Sequence, residues 1–211
     1  MRYYTKYPLC FMKFNILFCF LLFGLFTYTG CGDDDDDPTD ELGRDELRYD
    51  GPNFTAPLLP QNTYVYAAFF PESEVAEFAG RTLEEISFYL EEIPERVVIR
   101  VYEAGGTDNE PGREIYNVDV TARVDNDTGF FGDFYDHIIP GGILLDGTGL
   151  WLGVEVQTPG GLQIVGCDAG DNYNPNGDRL QLANGNTWTS FREFTGSEEI
   201  NWNIRGFLAE E

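Results

Sequence analysis

Lysine is missing from the chain after residue 13, and histidine occurs only once, at position 137. Cysteine is scarce as well, with four in 211 residues. Each shortage closes off a class of function. Nucleic-acid binding calls for a basic footprint against the phosphates, whereas 13 basic side chains here meet 37 acidic ones, for a formal net charge of −24. One histidine and few cysteines fall short of the usual nitrogen and sulfur ligands of zinc. A Ser-His-Asp or Cys-His site would have to use His137, in FYDHIIP, and no G-x-S-x-G turn exists to hold a serine. That histidine reads as a partly buried structural residue. Neither G-x-x-x-x-G-K-[ST] nor a strand-linked G-x-G-x-x-G occurs, so nucleotide binding has no support. A glycosidase needs only two suitably spaced carboxylates, which so acidic a chain always offers, so that requirement discriminates nothing. The expectation is a protein that is not an enzyme.

The charge is unevenly placed. Residues 1–30 contain no Asp or Glu and three basic residues, Arg2, Lys6 and Lys13; beyond them ten arginines face all 37 acids. From Phe14 to Gly30 the chain reads FNILFCFLLFGLFTYTG, 17 uncharged residues behind Lys13. A basic start and a short apolar run are the layout of a secretory signal peptide, and the run is short of the roughly 20 residues that a membrane span needs. Met12-Lys13 would make a more compact start to this leader.

Thr29-Gly30-Cys31 resembles the lipobox of bacterial lipoproteins, with Tyr28 at the position that is usually aliphatic. The resemblance implies that Cys31 is lipidated and becomes the mature N-terminus. Asp33, Asp34, Asp35, Asp36 and Asp37 follow directly, and such a run resembles the export signal of surface lipoproteins of Bacteroidota. It also reads as a solvated spacer, because blocks of like charge repel and stay disordered. The expected organisation is a signal peptide over 1–30, a lipidated cysteine and disordered acidic tether over 31–46, and one domain over 47–211. The fifteen residues from Gly32 to Glu46 could reach at most about 50 Å. Acyl chains contribute about 0.8 kcal/mol per buried methylene, so several on one cysteine anchor firmly. The expected location is the outer membrane, lipid-anchored and facing the cell exterior. From Leu47 onward the chain has nine arginines against 28 acids, a net −19. An acidic surface that uses only arginine is consistent with a saline habitat, where screening limits self-repulsion.

Cys10 and Cys19 would leave with the leader and Cys31 would carry lipid, so Cys167 remains alone and no intramolecular disulfide is available. In LQIVGC it reads as a small apolar packing residue, because a nucleophile would need an activating base.

Beyond Arg48, runs rich in Val, Ile, Tyr and Phe alternate with Gly, Pro, Asn and Asp clusters. Ile86, Phe88 and Leu90 oppose Ser87, Tyr89 and Glu91; Val97, Ile99 and Val101 oppose Val98, Arg100 and Tyr102. Tyr116, Val118 and Val120 form the next inward set. Leu150, Leu152, Val154 and Val156 alternate with Trp151, Gly153, Glu155 and Gln157, and Ile200, Trp202 and Ile204 with Asn201, Asn203 and Arg205. Period-two alternation predicts half-buried strands, and several with turns between them predict a sandwich or barrel. Trp202 is expected in the core; Trp151, on the opposite phase to Leu150, is either exposed or fills a second face. In PESEVAEFAG, Val75, Phe78 and Ala79 have helical spacing with Gly80 as the cap, which predicts one short helix. The expected fold is all-β: a single antiparallel β-sandwich of about eight to ten strands with one short helix.

The fragments FPESEVAEFAG, VVIRVYEAGG with PGREIY, LWLGVEV, GCDAG and INWNIRGFL, in that order, resemble a β-sandwich module of secreted and surface proteins of Bacteroidota. There it sits beside peptidases, adhesins and sorting domains. The resemblance spans most of residues 48–208 and implies a jelly-roll-like, non-catalytic module, similar in style to carbohydrate-binding and adhesin domains.

Two ligand sites are candidates. The loop DAGDNYNPNGD offers Asp168, Asp171, Asn172, Asn174, Asn176 and Asp178, oxygen ligands of the kind that calcium takes. Counted as a calcium loop, its twelfth position is Ala183 rather than a bidentate Glu, so a polar turn is the favoured reading and calcium the alternative. Aromatics supply the second candidate. Tyr173 and Trp188, with Asn184 and Asn186 before the tryptophan, combine apolar platforms with hydrogen-bonding groups, as stacking on a sugar ring requires. The expected function is a surface-exposed binding or adhesion module for glycan or extracellular polymer. A subunit docking another cell-envelope protein is the first alternative, and a hydrolase the second.

Overall fold

The inward phases of the alternating runs meet in one main interior, and a smaller apolar cluster lies apart from it. The computed structural model describes residues 45–105, 107, 109–126, 132–182 and 187–210. The leader, Cys31, Asp33 to Asp37, Asn184 and Asn186 lie outside the described residues.

The first sheet contains β1 (Glu46–Leu47), β3 (Thr82–Leu90), β6 (Asp133–Leu144) and β10 (Ile204–Leu208), in the order β1-β10-β3-β6. The second contains β2 (Asn62–Pro71), β4 (Arg96–Glu103), β5 (Glu114–Asp119), β7 (Gly149–Thr158), β8 (Arg179–Leu182) and β9 (Thr187–Ser190), in the order β5-β4-β7-β2-β8-β9. All pairings are antiparallel. Without the β8–β9 hairpin, the orders are first-last-third-sixth and second-seventh-fourth-fifth. That is the strand order of a jelly roll, with the hairpin added as an extension beside β2.

The inward phases read from the sequence form the main core. Ile86, Phe88, Val97, Ile99, Val101, Leu152, Val154, Val156 and Ile204 are all buried there, with Trp202 and Cys167. Gly206 lies where the sheets approach closely: a Cβ there would stand 2.7 Å from Leu152 and 2.8 Å from Leu83. Cys167 is fully buried, and burial pushes its thiol up to about 12, so it packs as an apolar side chain.

The predicted helix is present as α1 (Glu72–Val75) followed by a tight turn over Ala76–Phe78, with Gly80 at a φ of +89° closing it. Two further short helices occur, α2 (Thr121–Asn126) and α3 (Phe191–Thr195). The second of these is set by a capping box: Ser190 Oγ accepts from Glu193 N–H, the Glu193 carboxylate accepts from Ser190 N–H, and Gly196 ends the helix at a φ of +90°. Among the described residues, no helix is long and apolar enough to cross a membrane.

His137 points into the interior from β6, only 4% exposed. Its Nε2 lies 2.8 Å from the Tyr116 hydroxyl and its Nδ1 3.3 Å from Arg123. An arginine can only donate, so Nδ1 accepts and the ring is neutral, with its proton on Nε2. Burial, and then the nearby Arg123 charge, hold its pKa below the ordinary histidine value. The histidine thus ties β6 to β5 and α2 across the sandwich.

Candidate functional site

On the outer face of the six-stranded sheet, strand pairing sets Tyr102, Trp151 and Phe69 in one row, and Arg100, Gly153, Ala67, Arg179 and Ser190 in the next. Trp151 therefore fills the second face. It is fully buried in a small cluster with Ala67 and Phe69, stacked on Phe69 at 4.8 Å. Trp188 is half-buried and meets the ring of Trp151 edge-on at 5.2 Å and that of Tyr102 at 6.1 Å. Further across the face, Arg96 and Arg100 pair with Asp119, Glu155 and Glu114.

The loop 168–178 runs past this cluster and is pinned from below. Asp168 accepts from Asn201 N–H at 2.7 Å, from Asn201 Nδ2 at 2.8 Å and from Gly170 N–H at 3.0 Å. Asn201 Oδ1 in turn accepts from Asn174 N–H at 2.9 Å, and Asn176 C=O accepts from Phe69 N–H at 2.9 Å. The polar neighbours in the INWN run are therefore interior residues. Asn201 and Asn203 are both 0% exposed, and their amides are held by Asp168 and Asp50. Buried amides need such partners.

Three of the oxygens proposed for calcium accept from nitrogen donors. Asn174 Oδ1 accepts from Asn176 N–H, Asn176 Oδ1 from Arg179 Nη2, and Asp178 Oδ2 from Arg192 N–H at 3.0 Å. Asp171 and Asn172 stand exposed at the tip. No group of three or more His, Cys, Asp or Glu that could hold a metal occurs among the described residues. The loop behaves as a polar turn whose side chains order its own backbone.

Between this loop and α3 lies a cleft of about 610 Å³, lined by Asn109, Tyr173, Pro175, Arg179, Ser190, Arg192, Glu193 and Gly196. Tyr173 is half-buried, with the Arg192 guanidinium 5.7 Å from its ring centre. The Tyr173 hydroxyl approaches Asp178 Oδ2 at 3.4 Å. Burial pushes the Asp178 carboxyl up to about 6, against the Arg192 N–H and the Arg179 charge that hold it down. The cleft takes Tyr173 from the aromatic pair, while Trp188 is not among its lining residues and packs over Trp151 on the adjoining face.

Of the cleft residues, the sequence reading found Tyr173 and missed the others, Arg179 and Arg192 among them. A signal for the first exists: in RLQL the leucines take the inward phase, which leaves Arg179 and Gln181 on the face that carries Trp188.

Comparison of the chain with protein-family models, with curated proteins and with solved structures found no match.

Proposed function

We propose that the chain is a surface-exposed, lipid-anchored outer-membrane protein whose sandwich is a non-catalytic binding or adhesion module, with glycan or extracellular polymer as its ligand. The cleft between the 168–178 loop and α3 is the proposed ligand site. The observation that carries this reading is Tyr173, half-buried at the wall of a cleft that is otherwise lined mainly by polar side chains. An apolar ring among a few placed donors and acceptors suits a sugar, and about 610 Å³ is within the usual range for small-ligand sites. The anchor rests on the Thr29-Gly30-Cys31 motif and the aspartates behind it. A glycan array probed with the full-length chain in detergent tests the binding: signal on a defined set, weakened about tenfold by Tyr173→Ala, is expected, and silence across the array refutes it. Labelled fatty acid tests the anchor, since Cys31→Ser should abolish its incorporation.

One observation favours docking of another envelope protein as a second reading. β6 is an edge strand, and Ile138 and Leu144 on it are 71% and 70% exposed. An unpaired edge with apolar side chains is a template for strand addition.

A further inference from the structure

Arg179 is 9% exposed and forms no ion pair within 4 Å among the described residues, although the chain has 37 acids. Its neighbour in sequence, Asp178, turns its carboxylate towards Arg192 N–H and the Tyr173 hydroxyl instead. Neutral oxygens hold the guanidinium in place: Asn109 Oδ1 accepts from Nη1 at 3.1 Å and Asn176 Oδ1 from Nη2 at 2.9 Å. The side chain rests near the Trp151 ring, 5.8 Å from its centre. A guanidinium has five N–H groups. Two are engaged, Nε is buried without a partner, and each terminal nitrogen retains one more. A buried guanidinium without an ion pair is costly; the Asp178 charge acts on this one without pairing with it, and its neighbours position it in the wall of an open cleft.

The rest of the lining has the same polarity. Arg192 stands beside Tyr173, with its guanidinium 3.3 Å from Glu199, which is not a lining residue. The acid in the lining, Glu193, has its carboxylate committed to the Thr189 hydroxyl at 2.9 Å and to the α3 cap. A guanidinium fork fits a planar carboxylate with two parallel hydrogen bonds. Tyr173, on the wall of the same cleft, offers an apolar ring beside it.

We propose that the cleft selects acidic sugars, with Arg179 binding the carboxylate of a uronic-acid residue while Tyr173 packs on its ring. This rests on the glycan reading and narrows it to one chemical class. The net charge of the domain works against polyanions at long range. That repulsion is screened beyond about 8 Å at physiological salt, so selection falls to contacts inside the cleft.

The test is calorimetric titration of the full-length chain in detergent, at pH 7 and moderate salt. The probes are disaccharides of galacturonic, glucuronic and mannuronic acid, their neutral hexose counterparts, and inorganic sulfate. The expected result is at least tenfold tighter binding of an acidic disaccharide than of its neutral counterpart, with that preference lost in Arg179→Met. Tyr173→Ala should weaken acidic and neutral sugars alike, and Arg179→Lys should retain part of the preference. Equal binding of acidic and neutral sugars that ignores Arg179→Met overturns the proposal and leaves the glycan reading standing. Displacement of the sugar by sulfate at equal affinity overturns it in favour of a plain anion site. Silence from every sugar overturns it together with the glycan reading.

Discussion

Arg205 and Arg179 are both buried, 7% and 9% exposed, yet their surroundings differ in kind. Arg205 grips Asp50 through three contacts, Nε to Oδ1 at 3.3 Å, Nε to Oδ2 at 3.0 Å and Nη2 to Oδ2 at 2.8 Å, and lies 4.2 Å over the ring of Phe134. Asn203 Nδ2 adds a bond to the same carboxylate at 2.7 Å. That charge is answered inside the fold, and its work is to join the segment after β1 to β10. Arg179 is held by two neutral amide oxygens, and the acid beside it keeps one oxygen, Asp178 Oδ1, buried without a partner. Closed networks hold a structure together; an open one keeps a charge available to something outside the chain. Burial alone does not distinguish the two roles. The partner list does.

Four measurements break or sharpen this contrast. The largest effect belongs to Asp50→Ala, which leaves buried Arg205 with only the longer ionic contact to Glu46 at 3.6 Å and removes the carboxylate from Asn203. A loss of about 3–5 kcal/mol in urea unfolding is expected for breaking a buried pair in this way, and a loss below about 1 kcal/mol would remove the pair from the stabilising framework.

Asp178 comes next, through pH. Its carboxyl is raised to about 6 from an ordinary value of 3.8, so the folded state binds the proton more tightly than the unfolded chain. The stability that this proton contributes is complete below pH 3.8 and is lost as pH rises through about 6. Each unit of difference corresponds to about 1.4 kcal/mol, so a total of about 2–3 kcal/mol is expected over that window. Thermal melts from pH 4 to 7 should show a decline that is flatter in Asp178→Asn; equal slopes in the two proteins would contradict it. His137 has the opposite sign, because its lowered value makes stability fall as pH drops below the ordinary histidine range.

Smaller still is Ser190→Ala, which opens the capping box of α3 and should cost about 1 kcal/mol. Its use is positional, since α3 forms one wall of the cleft and sugar affinity should drop with it. The smallest change in stability is expected for Arg179→Met, within about 1 kcal/mol of the parent, because an apolar side chain of similar volume replaces a charge that lacks an ion pair. A loss as large as that of Asp50→Ala would make the two arginines alike and erase the contrast.

How far the sequence discloses this molecule depends on the range over which its signals act. Alternation is local, and it correctly put Val97, Ile99 and Val101 inside and Arg100 outside, with the inward sets of β3 and β7 following the same rule. It failed at Asn201 and Asn203. Both take the polar phase, yet they are interior because Asp168 and Asp50 reach them from 33 and 153 residues away, and no local pattern encodes such a partner. The capping motif Ser190-x-x-Glu193 was readable but short, and α3 went unforeseen beside it. Trp151 could be placed on a face but not assigned a neighbour, because Phe69 and Trp188 arrive from other strands. The cleft was half legible: Tyr173 stood out by type, whereas Arg179 matters for the carboxylate it lacks, and a missing contact leaves no trace in a sequence.

β1 has a mechanical consequence. It is a two-residue edge strand, paired to Phe207 and Gly206 of β10, with Asp45 bonded to Arg81 just ahead of it. A pull applied at Asp45 meets those few bonds first, together with the side chain of Leu47, which is buried in the main core. Behind them stand Tyr49, stacked on Phe70 at 4.8 Å, and Asp50, locked onto Arg205. The N-terminal side of the domain is thus a graded series of attachments, from edge strand to buried leucine to stacked tyrosine to buried ion pair, and a tug from that side is expected to load them in that order.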